Sequence, residues 1–245
     1  MAGRTPLGGR LPVRTLALRD DAPGPAAGWP WDLPVLARLR AAPLDLGPLT
    51  VLVGANGSGK STLLEGLALA VGLSSEGGSV HARHTTRPTE SDLSGALQVT
   101  RGAGASRWGF FLRAETMHGF FTYLEEHAGG DDPVFHEMSH GESFVALVGR
   151  RFDGAGLYLL DEPESALSFE NCLGLAGVLH GLAGRGDAQV VLATHSPVLA
   201  AIPGARVLEL GPDGWAESTW EDLQLVGHWR TFLADPQRYW RHVLE

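Results

Sequence analysis

Apolar residues along this chain follow two spacings, and their alternation predicts the elements. Leu49–Val53 (LTVLV), Leu157–Leu160 (LYLL) and Val190–Ala193 (VVLA) are short unbroken apolar runs, the pattern of strands buried on both faces. Between them the spacing becomes helical. Val35 to Ala42 reads as a short helix, Lys60 to Val71 places Leu63, Leu64, Leu67 and Val71 on one face, and another helix is expected around Asn171–Leu182. Trp108–Leu112 is a further strand candidate, followed by helical stretches at Glu115–Glu126 and Ser143–Arg150. Trp220, Leu223, Val226 and Phe232 are spaced for one helical face, suited to packing on a sheet or to a partner's groove;.

Residues 20–34 are rich in Pro, Gly and Ala and read as an irregular lead-in, while residues 74–106 read as turns and short strands of a peripheral layer;. Strands alternating with helices predict an α/β fold whose mostly parallel sheet is covered on both faces. Residues from about 74 to 150 are expected to form an inserted, more helical lobe of the same domain.

Composition narrows the setting. The 245 residues carry 19 Lys and Arg against 28 Asp and Glu, a formal charge of −9, which argues against an electrostatic nucleic-acid binder or a charge-bound membrane protein. Cys172 is the only cysteine, so no intrachain disulfide forms and a reducing compartment is the simpler setting;. Residues 1–20 contain no continuous apolar segment of the signal-peptide kind, and no run reaches the roughly 20 apolar residues of a membrane span;. A cytoplasmic location is the expectation.

Gly54-Ala55-Asn56-Gly57-Ser58-Gly59-Lys60-Ser61, followed by Thr62, matches G-x-x-x-x-G-K-[ST] between an apolar strand and an apolar helix;. Glycines there let backbone N–H groups turn inward around phosphates, and the helix aims its positive end at the same anion. Lys60 is placed to reach the β- and γ-phosphates and the Ser61 hydroxyl to ligate Mg²⁺. Asp161-Glu162-Pro163 ends the Leu157–Leu160 strand, where ligands of open parallel sheets bind;. Asp161 is expected in the Mg²⁺ shell opposite Ser61, and Glu162 as the general base that activates water. Glu164 reads as a helix-start acid favoured by the dipole.

With these residues in hand, the chain resembles the ABC-type ATPase superfamily over nearly its whole length. GANGSGKST and LLDEP match its Walker A and Walker B motifs, and Met138-Ser139-His140-Gly141-Glu142-Ser143 looks like a variant of its LSGGQ signature. Ser165-Ala166-Leu167-Ser168 stands where the D-loop belongs, and His195 at the switch-histidine position. The SHGES spelling, the segment FFLRAET and the C-terminal FLADPQRYWRHVL are similar to a group of small stand-alone bacterial "predicted ATPases".

The resemblance implies a P-loop NTPase of ABC type, with ATP and Mg²⁺ as ligands and an ATP-sandwiched homodimer as the working state. Ser139 and Gly141 would then cap the γ-phosphate held by the other protomer, although Ser139 and Glu142 also make an ordinary helix capping box. His140 and Glu142 depart from the family's glycine and glutamine. The usual metal-bridging glutamine has no match, since Gln98 precedes the strand. Glu115 is either its substitute at the metal or a surface acid paired with Arg113. Trp29 and Trp31, upstream of the loop, either stack on adenine or anchor the core.

Three function classes remain. They are a soluble ATPase switch acting on an unidentified partner, a transporter's nucleotide-binding subunit, and a DNA-maintenance or defence ATPase. The absence of heptads between Lys60 and Ser139 weighs against the last;. The missing glutamine and the SHGES spelling weigh against the second.

Overall fold

The three apolar runs occupy the middle of a seven-stranded sheet. The computed structural model describes residues 10–74, 78–79, 92–113, 148 and 152–244. In chain order these form β1 (Thr15–Leu18), α1 (Pro34–Ala41), β2 (Leu44–Asp45), β3 (Leu49–Gly54), α2 (Lys60–Ala70), β4 (Gly78–Ser79), α3 (Leu93–Ala96), β5 (Leu97–Thr100) and β6 (Gly109–Arg113). Then follow β7 (Gly156–Asp161), α4 (Phe169–Gly184), β8 (Ala188–Thr194), β9 (Arg206–Gly211), β10 (Gly214–Ser218), α5 (Gln224–Ala234) and α6 (Pro236–Leu244).

The large sheet has the order β10-β9-β3-β8-β7-β6-β4. Its five central strands pair in parallel, with antiparallel β10 and β4 at the edges. A small antiparallel sheet, β2-β1-β5, forms the peripheral layer. The fold is thus the α/β arrangement expected from the alternation of spacings.

The central strands β3, β7 and β8 are buried on both faces, which explains the unbroken apolar runs. Successive strand residues point to opposite sides. Val51, Val53 and Leu160 pack with Leu175 and Leu179 of α4, while Leu52, Leu159 and Val191 pack with Leu36 of α1 and Leu63, Leu64 and Leu67 of α2. Burying one such side chain contributes about 1.5–3 kcal/mol. A polar exception sits within β8. The buried Gln189 accepts from Val13 N at 2.8 Å and donates to Val13 O at 2.6 Å and Gly47 O at 3.0 Å. This side-chain amide ties the segment before β1 and the turn before β3 to the central strand. Leaving such buried backbone groups unpaired costs about 1–3 kcal/mol each.

Residues 20–33 are irregular apart from the 3-10 turn Pro25–Ala27, and Pro34 opens α1. The helical turn α3 interrupts a region expected to hold only turns and short strands. Leu93 and Ala96 make it, by burying themselves against the α2 side of the core. Of the helices expected at Glu115–Glu126 and Ser143–Arg150, all but Val148, which is helical and buried, lies outside the described residues. Most of the expected lobe over 74–150 lies outside them too. At the C-terminal end Leu223 and Val226 enter the core beside α4, with Trp220 packed against it. Packing on the sheet is therefore what this stripe does. Phe232, its fourth member, meets Trp229 and Tyr239 edge-on instead. Among the described residues no helix is long and apolar enough to cross a membrane.

Candidate functional site

Three chain segments meet at the carboxyl ends of β3, β7 and β8. The first is the loop from Gly54 to Lys60, which leaves β3 and opens α2. Gly59 caps α2 with φ +93°, and a Cβ added there would lie 2.7 Å from Val35 Cγ1. No other residue fits both the left-handed backbone and the contact with α1. Lys60, only 3% exposed, folds back on its own loop and donates to Gly54 O at 2.9 Å and Ala55 O at 3.2 Å. Burial pushes its ammonium below the ordinary lysine range, against the opposing pull of Glu162, Asp161 and Glu164;.

The second segment is the end of β7. Asp161 is 5% exposed and stands in register with Arg113 on β6 and Ala193 on β8. Ser61 Oγ donates to Asp161 Oδ1 at 2.9 Å, so the two predicted metal ligands are adjacent although a hundred positions apart. Glu162 follows in the left-handed region, φ 48° and ψ 49°, the only non-glycine with positive φ among the described residues. Its N–H extends the ladder to Ala193 O at 2.9 Å before the chain turns into the 3-10 turn Pro163–Ala166. The turn re-aims the carboxylate toward β8. Ser168, at the end of the predicted D-loop, caps α4 by accepting from Asn171 N.

The third segment follows β8. His195 Nε2 lies 2.9 Å from Lys60 Nζ and 3.3 Å from Glu162 Oε1. One nitrogen cannot serve both at once. With Lys60 charged it is the unprotonated acceptor, and when protonated it faces the Glu162 carboxylate. The backbone of His195 is fixed independently, its N–H donating to Glu164 Oε1 at 2.5 Å.

The resulting site brings together Lys60, Ser61, Asp161, Glu162 and His195. Ser139, Gly141 and Glu115, together with His140 and Glu142, lie outside the described residues. Trp31 is 6% exposed and belongs to the core cluster that α1 and α2 help build, the place of an anchor, whereas Trp29 is 62% exposed. Two contributors were not foreseen. Arg113 donates to Glu65 Oε2 at 2.9 Å and sets its Nε 3.3 Å from Asp161 Oδ2. Glu164 does sit in the first turn after Glu162, as expected of a helix-start acid, but its carboxylate serves His195. No local signal marks either, since both contacts depend on which strands become neighbours.

Comparison with known proteins gives this arrangement its relatives. A family profile described as "AAA domain, putative AbiEii toxin, Type IV TA system" matches residues 49–128. UvrABC system protein A of Thermus thermophilus is 36% identical over 101 residues, 37% of this chain and 10% of that protein. The putative ABC transporter ATP-binding protein SCO2324 of Streptomyces coelicolor is 32% identical over 221 residues, 81% of this chain and 36% of that protein. The cytochrome c biogenesis ATP-binding export protein CcmA of Paracoccus denitrificans is 30% identical over 176 residues, covering 69% of this chain and 79% of CcmA.

The chain belongs to the ABC-type ATP-binding family. Among solved structures, the SMC head bound to the C-winged helix domain of ScpA superposes with a TM-score of 0.49 at 14% identity, over 74% of this chain and 94% of that one. The chain spans a tenth of the Thermus protein and about a third of the Streptomyces protein.

The residues of this ABC-type ATP-binding chain fit a magnesium–nucleoside triphosphate. Among the described residues, Ser58 Oγ is buried without a hydrogen-bond partner inside the phosphate loop, a polar atom for which a phosphate oxygen is a natural partner;. The Ser61 hydroxyl donates a hydrogen bond to Asp161 and keeps its oxygen lone pairs, so hydroxyl and carboxylate form the hard donor pair that suits Mg²⁺;. Arg113 Nε lies 3.3 Å from the other oxygen of Asp161 and sets a positive charge beside the carboxylate.

Proposed function

We propose that this chain is an ATPase: it binds ATP with Mg²⁺ through Gly54–Thr62 and Asp161 and hydrolyses the β–γ bond, acting as one ABC-type domain in which residues 74–150 form the signature-bearing lobe. The observation that carries this reading is the meeting of Lys60, Glu162 and His195, from three separate segments, within 3.3 Å steps of one another. Lys60 is the buried cation that phosphates would draw away from Gly54 O and Ala55 O. Ser61 and Asp161 would hold the metal, whose charge, when bound, offsets that of the phosphate oxygens. Glu162 takes the proton of the attacking water as its oxygen bonds to the γ-phosphorus and the bond to the β-phosphate oxygen breaks, leaving ADP with the electron pair. His195, held through its backbone by Glu164, orients the γ-phosphate end. Glu115 is a further candidate for the metal side of the site.

Ser139 and Gly141 complete the site from a second protomer in this proposal, so ATP forms much of the interface and its binding energy drives dimerisation. At a formal charge of −9 each, free protomers repel and stay apart until nucleotide and metal bridge them;. The dimer acts in the cytoplasm on an unidentified protein partner, and nucleic acid is not expected to be one. A second reading, the ATP-binding subunit of a transporter, is favoured by the similarity to SCO2324 and CcmA. The match to UvrABC system protein A keeps a DNA-maintenance role as the third.

Light scattering tests the dimer. Glu162→Gln should be a monomer alone and a dimer with ATP and Mg²⁺, while Glu162→Gln/Ser139→Arg should bind ATP and stay monomeric. A Glu162→Gln protein that remains monomeric at saturating ATP, or a double variant that still dimerises, contradicts the shared site. Proteins co-purifying with Glu162→Gln would distinguish a permease from other partners.

A further inference from the structure

Glu65 takes no part in the proposed hydrolysis, yet it is tied to the residues that do. It stands one helical turn after Ser61 on α2, so the two side chains share a face of the helix;. Arg113 ends β6 level with Asp161 on β7. Ser61 Oγ donates to Asp161 Oδ1 at 2.9 Å, and Arg113 Nη1 donates to Glu65 Oε2 at 2.9 Å. Arg113 Nε closes the circuit, 3.3 Å from Asp161 Oδ2. Two rungs therefore join α2 to the sheet, and the guanidinium stands between two carboxylates.

The circuit is shielded from water. The side chains of Arg113 and Glu65 are 19% and 20% exposed and that of Asp161 is 5% exposed. Charges in such a place act on one another with less screening than on the surface. A guanidinium is always charged and offers only donors, so at 3.3 Å it competes with any cation for the Asp161 carboxylate;. Glu65 opposes that competition, because it makes the shorter contact with the same guanidinium. Of these three side chains, two are negative and one is positive, which leaves one net negative charge for a metal. Without the charge of Glu65, Arg113 alone would cancel that of Asp161.

We propose that Arg113 and Glu65 are positioning residues for the metal. Arg113 balances Asp161 while the metal is away, and Glu65 draws the guanidinium off when Mg²⁺ arrives. Glu65, acting through Arg113, thereby sets how tightly Mg²⁺ is held. The assignment rests on the magnesium–nucleotide reading of Ser61 and Asp161. A purely structural bridge between α2 and β6 would leave metal binding unchanged, and this difference makes the roles separable.

Calorimetric titration of the full chain with ATP, in excess Mg²⁺ and in EDTA, gives the factor by which the metal tightens ATP binding. Glu65→Gln keeps the shape and removes the charge. It should lower that factor by about fivefold or more, while metal-free ATP binds at least as well as to the wild type, since a nearby negative charge is gone. Arg113→Gln should act with the opposite sign, with weaker metal-free binding and a larger factor. The double variant leaves the same net charge as the wild type, and its factor should return to within about twofold of the wild-type value. If Glu65→Gln fails to fold, Arg113→Gln and the double variant carry the test through the same ordering. A factor unchanged in Glu65→Gln, or one that falls in Arg113→Gln, overturns the proposal. A wild type that gains nothing from Mg²⁺, or a gain that survives in Asp161→Asn, is instead the failure of the metal reading itself, and the proposal falls with it.

Discussion

Replacing Glu162 by glycine and by alanine separates what its side chain does from what its backbone costs. Both variants delete the carboxylate, and both lose the contact with His195 at 3.3 Å, so these losses cancel in the comparison. What remains is the left-handed backbone at φ 48° and ψ 49°. For a residue with a Cβ that conformation costs about 1–2 kcal/mol, and glycine escapes it. Glycine in turn loses about 0.5–1 kcal/mol through the greater freedom of its unfolded chain. At the middle of each range the difference leaves Glu162→Gly more stable than Glu162→Ala by about 0.7 kcal/mol, the reverse of the usual order. For a chain of this size that is about 1–4 °C in melting temperature. Differential scanning calorimetry of the two proteins without nucleotide measures it. Both should still bind ATP and neither should turn it over. If alanine matches or exceeds glycine in stability, the left-handed turn is not held in solution, and the account of how β7 aims its carboxylate at His195 is wrong.

Lys60→Ala should bring ATP affinity below detection in calorimetry, since the loop loses its one buried cation; retained affinity would remove the loop from the site. The depressed Lys60 ammonium also fixes the sign of a pH effect. Burial makes the free protein shed this proton at lower pH than a solvated lysine, whereas phosphates favour the charged form. ATP binding at alkaline pH should therefore take up a proton, and affinity should fall as pH rises, both readable by titration in buffers of different ionisation enthalpy. Glu164→Ala should slow turnover by about tenfold, the equivalent of one charge-assisted hydrogen bond to the His195 backbone, and Glu164→Gln, which keeps an acceptor, should restore most of it in steady-state assays.

Much of this was readable from the chain because the decisive features are local. The runs at Leu49, Leu157 and Val190 became strands within one or two residues of the expected bounds, since a strand buried on both faces leaves an uninterrupted apolar signature;. The phosphate loop and the Asp161-Glu162 pair are spelled in consecutive residues. Other elements leave weaker marks. β9 carries Glu209 in its middle and β10 is largely exposed, so neither shows a buried run. Gln189 looks like a polar strand start, and its role as a staple depends on Val13 and Gly47 arriving beside it. Arg113 reaches Asp161 because β6 and β7 pair in a register that brings them level, and no spacing rule encodes that register. For Trp29 and Trp31 the sequence left two roles open, core anchor or base stacking, and burial assigns the first to Trp31 because the core it joins is built from distant segments.

Phosphate release by Glu162→Gln beside the wild type, with ATP binding measured on the same samples, tests the hydrolytic site most directly. The isosteric amide keeps the shape of the turn and removes only the capacity to accept a proton. Binding should be retained and turnover should drop by about 10²-fold or more, as expected on losing a general base. Turnover equal to the wild type at saturating ATP would contradict the assignment and place the base elsewhere.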